Sequence, residues 1–93
     1  MLLADLYRTN KQYEKAIEFY TLLIKKQNIS NDQLWRIYYM RGICYERSNK
    51  WRKAENDFLQ ALKTEPEQPQ VLNYLAYGWI EKNFYLEKSI EML

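Results

Sequence analysis

One spacing pattern occurs three times in this chain. A small residue is followed three positions later by an aromatic. Nine or ten positions further on comes a second small residue, with a bulky one four after it. The first copy reads Ala4, Tyr7, Ala16 and Tyr20, the second Gly42, Tyr45, Ala54 and Phe58, and the third Ala76, Trp79, Ser89 and Leu93. An apolar residue stands three before each second small residue, at Tyr13, Trp51 and Leu86, and the second copy adds Ala61 and Pro66. Ala4 and Gly42 are 38 residues apart, Gly42 and Ala76 are 34 apart. Periods of that size belong to stacked units that cannot bury their apolar faces singly, so neighbouring copies must share a core.

Each copy has the pattern of a helical hairpin. Apolar residues recur at helical spacing, as Leu34, Tyr38 and Tyr45 and then Ala54, Phe58, Ala61 and Leu62. Small side chains at Gly42 and Ala54 let two helices approach, and Tyr45 and Phe58 fill the space beside that contact. Gly42 therefore has a packing reason to sit inside a helix, where glycine otherwise costs about 1 kcal/mol against alanine. Polar breaks fall at residues 9–11, 48–50 and 82–83. Pro66 and Pro69 flank the turn into the third copy, because the residue before a proline is biased away from helix. Asn28 to Asp32 forms the longer first inter-repeat turn, with Ser30, Asn31 or Asp32 available as an N-cap. The spacing predicts helices near residues 2–9, 12–27, 32–47, 50–64, 69–82 and 86–93. With 2 Gly and 2 Pro in the chain, a turn-rich β architecture is excluded. The expected fold is an all-α superhelical stack of antiparallel helix hairpins. It forms a single domain over residues 1–93, with repeats at about 1–30, 35–68 and 69–93, the last one truncated. Residues 87–93 have the pattern of a helix in mid-course, so the chain is expected to be a piece of a longer protein.

Composition narrows the chemistry. An apolar fraction of 47% with 28% charged residues suits an ordered globular domain rather than a disordered one. The absence of histidine removes Ser–His and Cys–His catalysis and most zinc and haem ligation. A lone Cys44 forms no internal disulfide; it suits a reducing compartment such as the cytoplasm without excluding an oxidising one. No apolar run approaches the roughly 18–20 residues of a membrane span. A non-catalytic protein without metal or cofactor is expected.

The set Gly42, Tyr45, Ala54, Phe58, Ala61 and Pro66 resembles the signature of the tetratricopeptide repeat (TPR) family, with Tyr38 in place of the usual leading Trp. The resemblance extends over the whole chain. The first copy departs by four extra residues, with Leu23 and Asn28 where a small residue and Pro are usual. The third departs by a one-residue insertion and Ser89 for Ala. The string from Val71 to Trp79 is also similar to a variant found in large bacterial repeat proteins. The resemblance implies a right-handed superhelix whose first helices line a concave groove that binds a peptide or helix of a partner protein.

Spacing indicates which residues face such a groove. In the middle copy, Tyr38, Arg41 and Tyr45 form one stripe, which carries the core signature and must face the hairpin partner. Arg36, Tyr39, Ile43 and Arg47 form another, free for the groove. The same offset gives Gln70, Asn73, Tyr77 and Glu81 in the third copy and Met1, Asp5, Arg8 and Thr9 in the first. Tyr offers rigid amphipathic area and Arg forks onto carboxylates, so Arg8, Arg36, Tyr39, Ile43, Arg47, Asn73 and Tyr77 are the candidate partner-binding residues. The competing expectation is that Tyr39, Ile43 and Tyr77 pack against neighbouring first helices, with the Arg heads merely solvated. Some chaperone-binding members of the family hold a C-terminal carboxylate with basic and Asn side chains. Those places fall here on Met1, Asp5, Met40, Gln70 and Tyr74, so that clamp is absent.

Other functions have weaker support. The run from Arg47 to Lys53 mixes basic and aromatic residues as nucleic-acid surfaces do. Against this, Trp51 occupies a core place, Glu46 and Glu55 bracket the run, and 14 Lys and Arg against 12 Asp and Glu leave a net charge of only +2. Glu65 and Glu67 lie in the Pro-flanked turn, where both carboxylates are free to solvate and are poor general acids or bases. Arg41 and Arg47 flank Cys44 and would lower its thiol pKa, whereas burial would do the opposite. A structural spacer or homotypic assembly segment is the alternative to a scaffold. Leu2, Leu3 and Leu6 at one end and Leu86, Ile90, Met92 and Leu93 at the other are the expected contacts.

Overall fold

A computed structural model describes residues 3–26 and 28–81 and contains, within them, five helices and no strand: α1 (Leu3–Thr9), α2 (Tyr13–Ile24), α3 (Asn31–Arg47), α4 (Trp51–Thr64) and α5 (Pro69–Glu81). Each helix packs chiefly on its neighbours in sequence, as expected of an all-α hairpin stack. The helix expected over 86–93, with Leu86, Ser89, Ile90, Met92 and Leu93, lies outside the described residues.

Two helix ends repeat one cap. After α1, Lys11 takes a left-handed φ of 62° and the Gln12 N–H bonds to the Tyr7 carbonyl at 2.8 Å. After α3, Asn49 takes φ 62° and the Lys50 N–H bonds to the Tyr45 carbonyl at 2.8 Å. A left-handed residue followed by a bond reaching back five residues is a Schellman closure, which reverses the chain tightly enough for an antiparallel hairpin. The two copies are 38 residues apart, the offset that carries Ala4 onto Gly42.

The helix expected over 12–27 is a correction: α2 stops at Ile24. The Lys26 N–H bonds to the Leu23 carbonyl, tightening the last turn, and Asn28 has a left-handed φ of 66°. The connection therefore runs from 25 to 30, earlier than the expected turn. Of the three possible caps, Ser30 begins α3. Its Oγ accepts the Gln33 N–H at 3.2 Å while Gln33 Oε1 accepts the Ser30 N–H, a reciprocal capping box.

α3 is the wall common to both cores. One face sends Ile37 and Cys44 against Ala4, Ala16 and Tyr20. The other sends Trp35, with half-buried Tyr38, Tyr39 and Tyr45, against Ala54, Phe58, Ala61, Val71, Leu75 and Trp79. Most of the signature is buried as spacing requires: Ala4, Ala16, Tyr20, Gly42, Ala54, Phe58, Ala61, Ala76 and Trp79, with Tyr7 and Tyr45 half-buried. Pro66 lies in the exposed turn. A Cβ on Gly42 would come within 2.6 Å of the Phe58 ring, which confirms the close approach of α3 and α4. Gly78 has the same role on α5, where the Trp51 indole occupies the Cβ position.

Candidate functional site

The first helices, α1, α3 and α5, carry every candidate partner-binding residue. α3 ends on Arg47 and α1 has Arg8 in its last turn, cations where the helix dipole favours them.

Arg8 is already engaged. Its Nε donates to the Tyr20 hydroxyl at 3.2 Å and its guanidinium lies 3.9 Å from Asp5, while that hydroxyl donates to Asp5. Burial works against the Arg8 charge, but the Tyr20 and Asp5 contacts outweigh it and hold its pKa above the usual value. Tyr39 is half-buried, its ring 6.1 Å from Trp35, 6.2 Å from Phe58 and edge-on to Tyr74 at 5.8 Å. Burial raises its hydroxyl pKa, Tyr74 adds to that, and the nearby Arg8 charge opposes it. Ile43 is half-buried on the same core. Tyr39 thus packs on Tyr74 of the neighbouring first helix, and Ile43 on the core shared by α3, α4 and α5.

The exposed members are Arg36, Arg47, Asn73 and Tyr77. Arg36 makes a surface pair with Asp32 at 3.5 Å and lies over the Trp35 ring. Arg47 is held above its usual pKa chiefly by a hydrogen bond with Tyr74. Tyr77 is 61% exposed.

Tyr74, at one of the clamp places but not among the candidate partner-binding residues, also belongs to this face. Its ring meets those of Tyr39 and Phe58. An aromatic strip results, joining Trp35 and Tyr39 on α3 to Tyr74 on α5. The signal was its place six residues into the third copy, one off the assigned stripe, where a first helix meets its predecessor.

The sequence profiles agree with this architecture. Two family profiles described as Tetratricopeptide repeat match the chain, one over residues 35–68 and one over residues 1–25, together more than half of it. The chain is a tetratricopeptide repeat protein. Repeats of this family are in general protein–protein interaction modules and typically non-catalytic. In this TPR protein Cys44 is fully buried, and burial pushes its thiol up to about 11, away from the reactive range. Trp51 is buried too, so its ring is not open to a nucleic-acid base. Among the described residues there is no acidic, His or Cys cluster fit for a metal ion, and no helix long and apolar enough to cross a membrane.

Proposed function

We propose that this TPR protein is a non-catalytic scaffold, without cofactor, that binds a peptide or helix of a partner protein along the concave face of its first helices. The reading rests chiefly on the aromatic strip that joins Tyr39 on α3 to Tyr74 on α5, with Tyr77 exposed three residues beyond Tyr74 on the same helix. Tyr39 and Ile43 act as the floor that fixes the strip. Arg36, Arg47, Asn73 and Tyr77 make the contacts, and the Arg heads suit a segment carrying carboxylates. A crosslinking pull-down comparing the wild type with an Arg47→Glu/Tyr77→Ala variant tests it, folding being checked by circular dichroism. A partner captured by the first and lost by the second supports groove recognition, and equal capture by both overturns it.

A second reading, homotypic assembly, draws on Leu3, Leu6 and Leu22, which are 52%, 47% and 60% exposed. A mass that rises with concentration and falls for Leu6→Glu/Leu22→Glu would favour it.

A further inference from the structure

Between its two cores α3 presents one ridge to solvent. Arg36 and Arg47 are exposed on it, with half-buried Ile43 between them, Met40 on the side of the first core and Tyr39 on the side of the second. Met40, Ile43 and Arg47 follow Arg36 by 4, 7 and 11 residues, the spacing of a single helix face. At the helical rise the two Arg positions are about 16 Å apart along α3.

The openness of this ridge belongs to the repeat position. Arg47 is exposed although α1 and α5 are described through the matching residues Thr9 and Glu81, which are exposed too. Arg36 is exposed beside the first helix that follows it, and its match Gln70 is exposed beside the one that precedes it. Neither neighbouring first helix therefore covers this line. Both guanidinium groups are also available. In the Arg36–Asp32 pair at 3.5 Å and the Arg47–Glu46 pair at 3.9 Å, the Arg side chains are 59% and 53% exposed, and surface pairs of that kind exchange readily.

Resting on the groove reading above, we infer that the bound segment of the partner is an α-helix lying along α3, with two carboxylates spaced as Arg36 and Arg47 are and apolar side chains between them. The two backbone periods decide the conformation. A helix repeats its face after four, seven and eleven residues, so one face meets both Arg heads and lays its apolar side chains on Met40 and Ile43. An extended segment spans the same distance in about five residues, and that odd number turns its two carboxylates to opposite faces.

The probe is a labelled alanine–glutamine peptide of about 18 residues, long enough to hold a helix. It has glutamates at its fourth and fifteenth positions and leucines at its eighth and eleventh, and it is titrated against the whole chain by fluorescence anisotropy at low salt. Two controls carry the same charge. One moves the second glutamate to the thirteenth position, on the far side of the helix; the other sets the glutamates five residues apart with a proline between them. Saturable binding is expected, tighter for the matched peptide than for either control by about two- to fivefold. Arg36→Glu/Arg47→Glu in the chain, its fold checked by circular dichroism, should lose the matched peptide and prefer a version with lysines in place of both glutamates. The inference is overturned if the whole chain, residues 82–93 included, binds none of the peptides, or if either control binds as tightly as the matched one. Tight binding of a control that the charge reversal still abolishes would leave groove recognition standing without the helix, whereas binding that ignores the charge reversal would remove both.

Discussion

The Trp51 indole lies directly against the Cα of Gly78, so that a Cβ there would overlap Cη2 and Cζ3 of the ring. Trp51 opens α4 and Gly78 lies inside α5, so this contact locks the second hairpin onto the next first helix. Gly78→Ala should lower stability by about 1–3 kcal/mol through overpacking, although alanine gains about 1 kcal/mol of helix propensity. In a Trp51→Leu background the same change should be close to neutral. Urea denaturation of the four proteins in the cycle checks this, and additive effects would contradict it.

Arg41 and Asp57 form a bidentate pair, with both N–O distances at 2.7 Å, and Arg41 also donates to Thr21 Oγ1 at 3.0 Å. The Asp57 carboxylate is 1% exposed. Burial pushes its pKa up against the pull of Arg41, and Arg41 in turn is held above its usual range chiefly by Asp57. Asp57→Ala leaves a buried cation without its partner and should cost about 3–5 kcal/mol, whereas Arg41→Met/Asp57→Leu should recover most of that. Thermal or urea unfolding measures the difference; a double variant no better than the single one would contradict the account.

Lys11 and Asn49 hold the same left-handed backbone, but only asparagine tolerates it well. Lys11→Gly should therefore stabilise the protein by about 0.5–1 kcal/mol, and Asn49→Gly by less. The comparison is one of denaturant midpoints, with the opposite order as the unfavourable result.

Alkaline pH should weaken the fold through two buried acids. Burial pushes the Cys44 thiol up to about 11, and burial with the hydrogen bond to Asp5 pushes the Tyr20 hydroxyl up as well. Both hold their protons more tightly folded than unfolded. The stability they contribute is complete below their unfolded pKa values and is lost as pH rises through the folded ones. The urea midpoint should hold between about pH 7 and 8 and decline from about pH 9 upward. At pH 8 a thiol reagent should label Cys44 only as fast as the protein opens, so rapid native-state labelling would argue against the burial described.

Spacing alone made the hairpin pattern legible, because Ala4, Ala16, Gly42, Ala54 and Ala61 are small where two backbones approach, and that requirement is local. The end of α2 was less legible, since no proline or glycine follows Ile24 and the stop is made by Asn28 and the Ser30 cap. The site was half legible for a similar reason. A helical wheel separates the Tyr45 stripe from the Tyr39 stripe, but it does not show that Tyr74 of the next copy comes down on Tyr39 and covers it. Tyr77, one turn further along α5, stays open. Arg8 and Arg41 were visible as cations; their partners Tyr20 and Asp57, 12 and 16 residues away, belong to the packing of one helix on another.

Because α3 looks backward with Ile37 and Cys44 and forward with Trp35 and Tyr39, the transplantable unit of this array is larger than its sequence period. A graft of the second hairpin onto another repeat protein would carry along a surface shaped for α2. It would need a host that presents the equivalents of Ala16 and Tyr20, with a hydroxyl at Thr21 for Arg41. Recombination between repeats is thus constrained by the face behind each first helix, which a 34-residue alignment assigns to the wrong side of the junction.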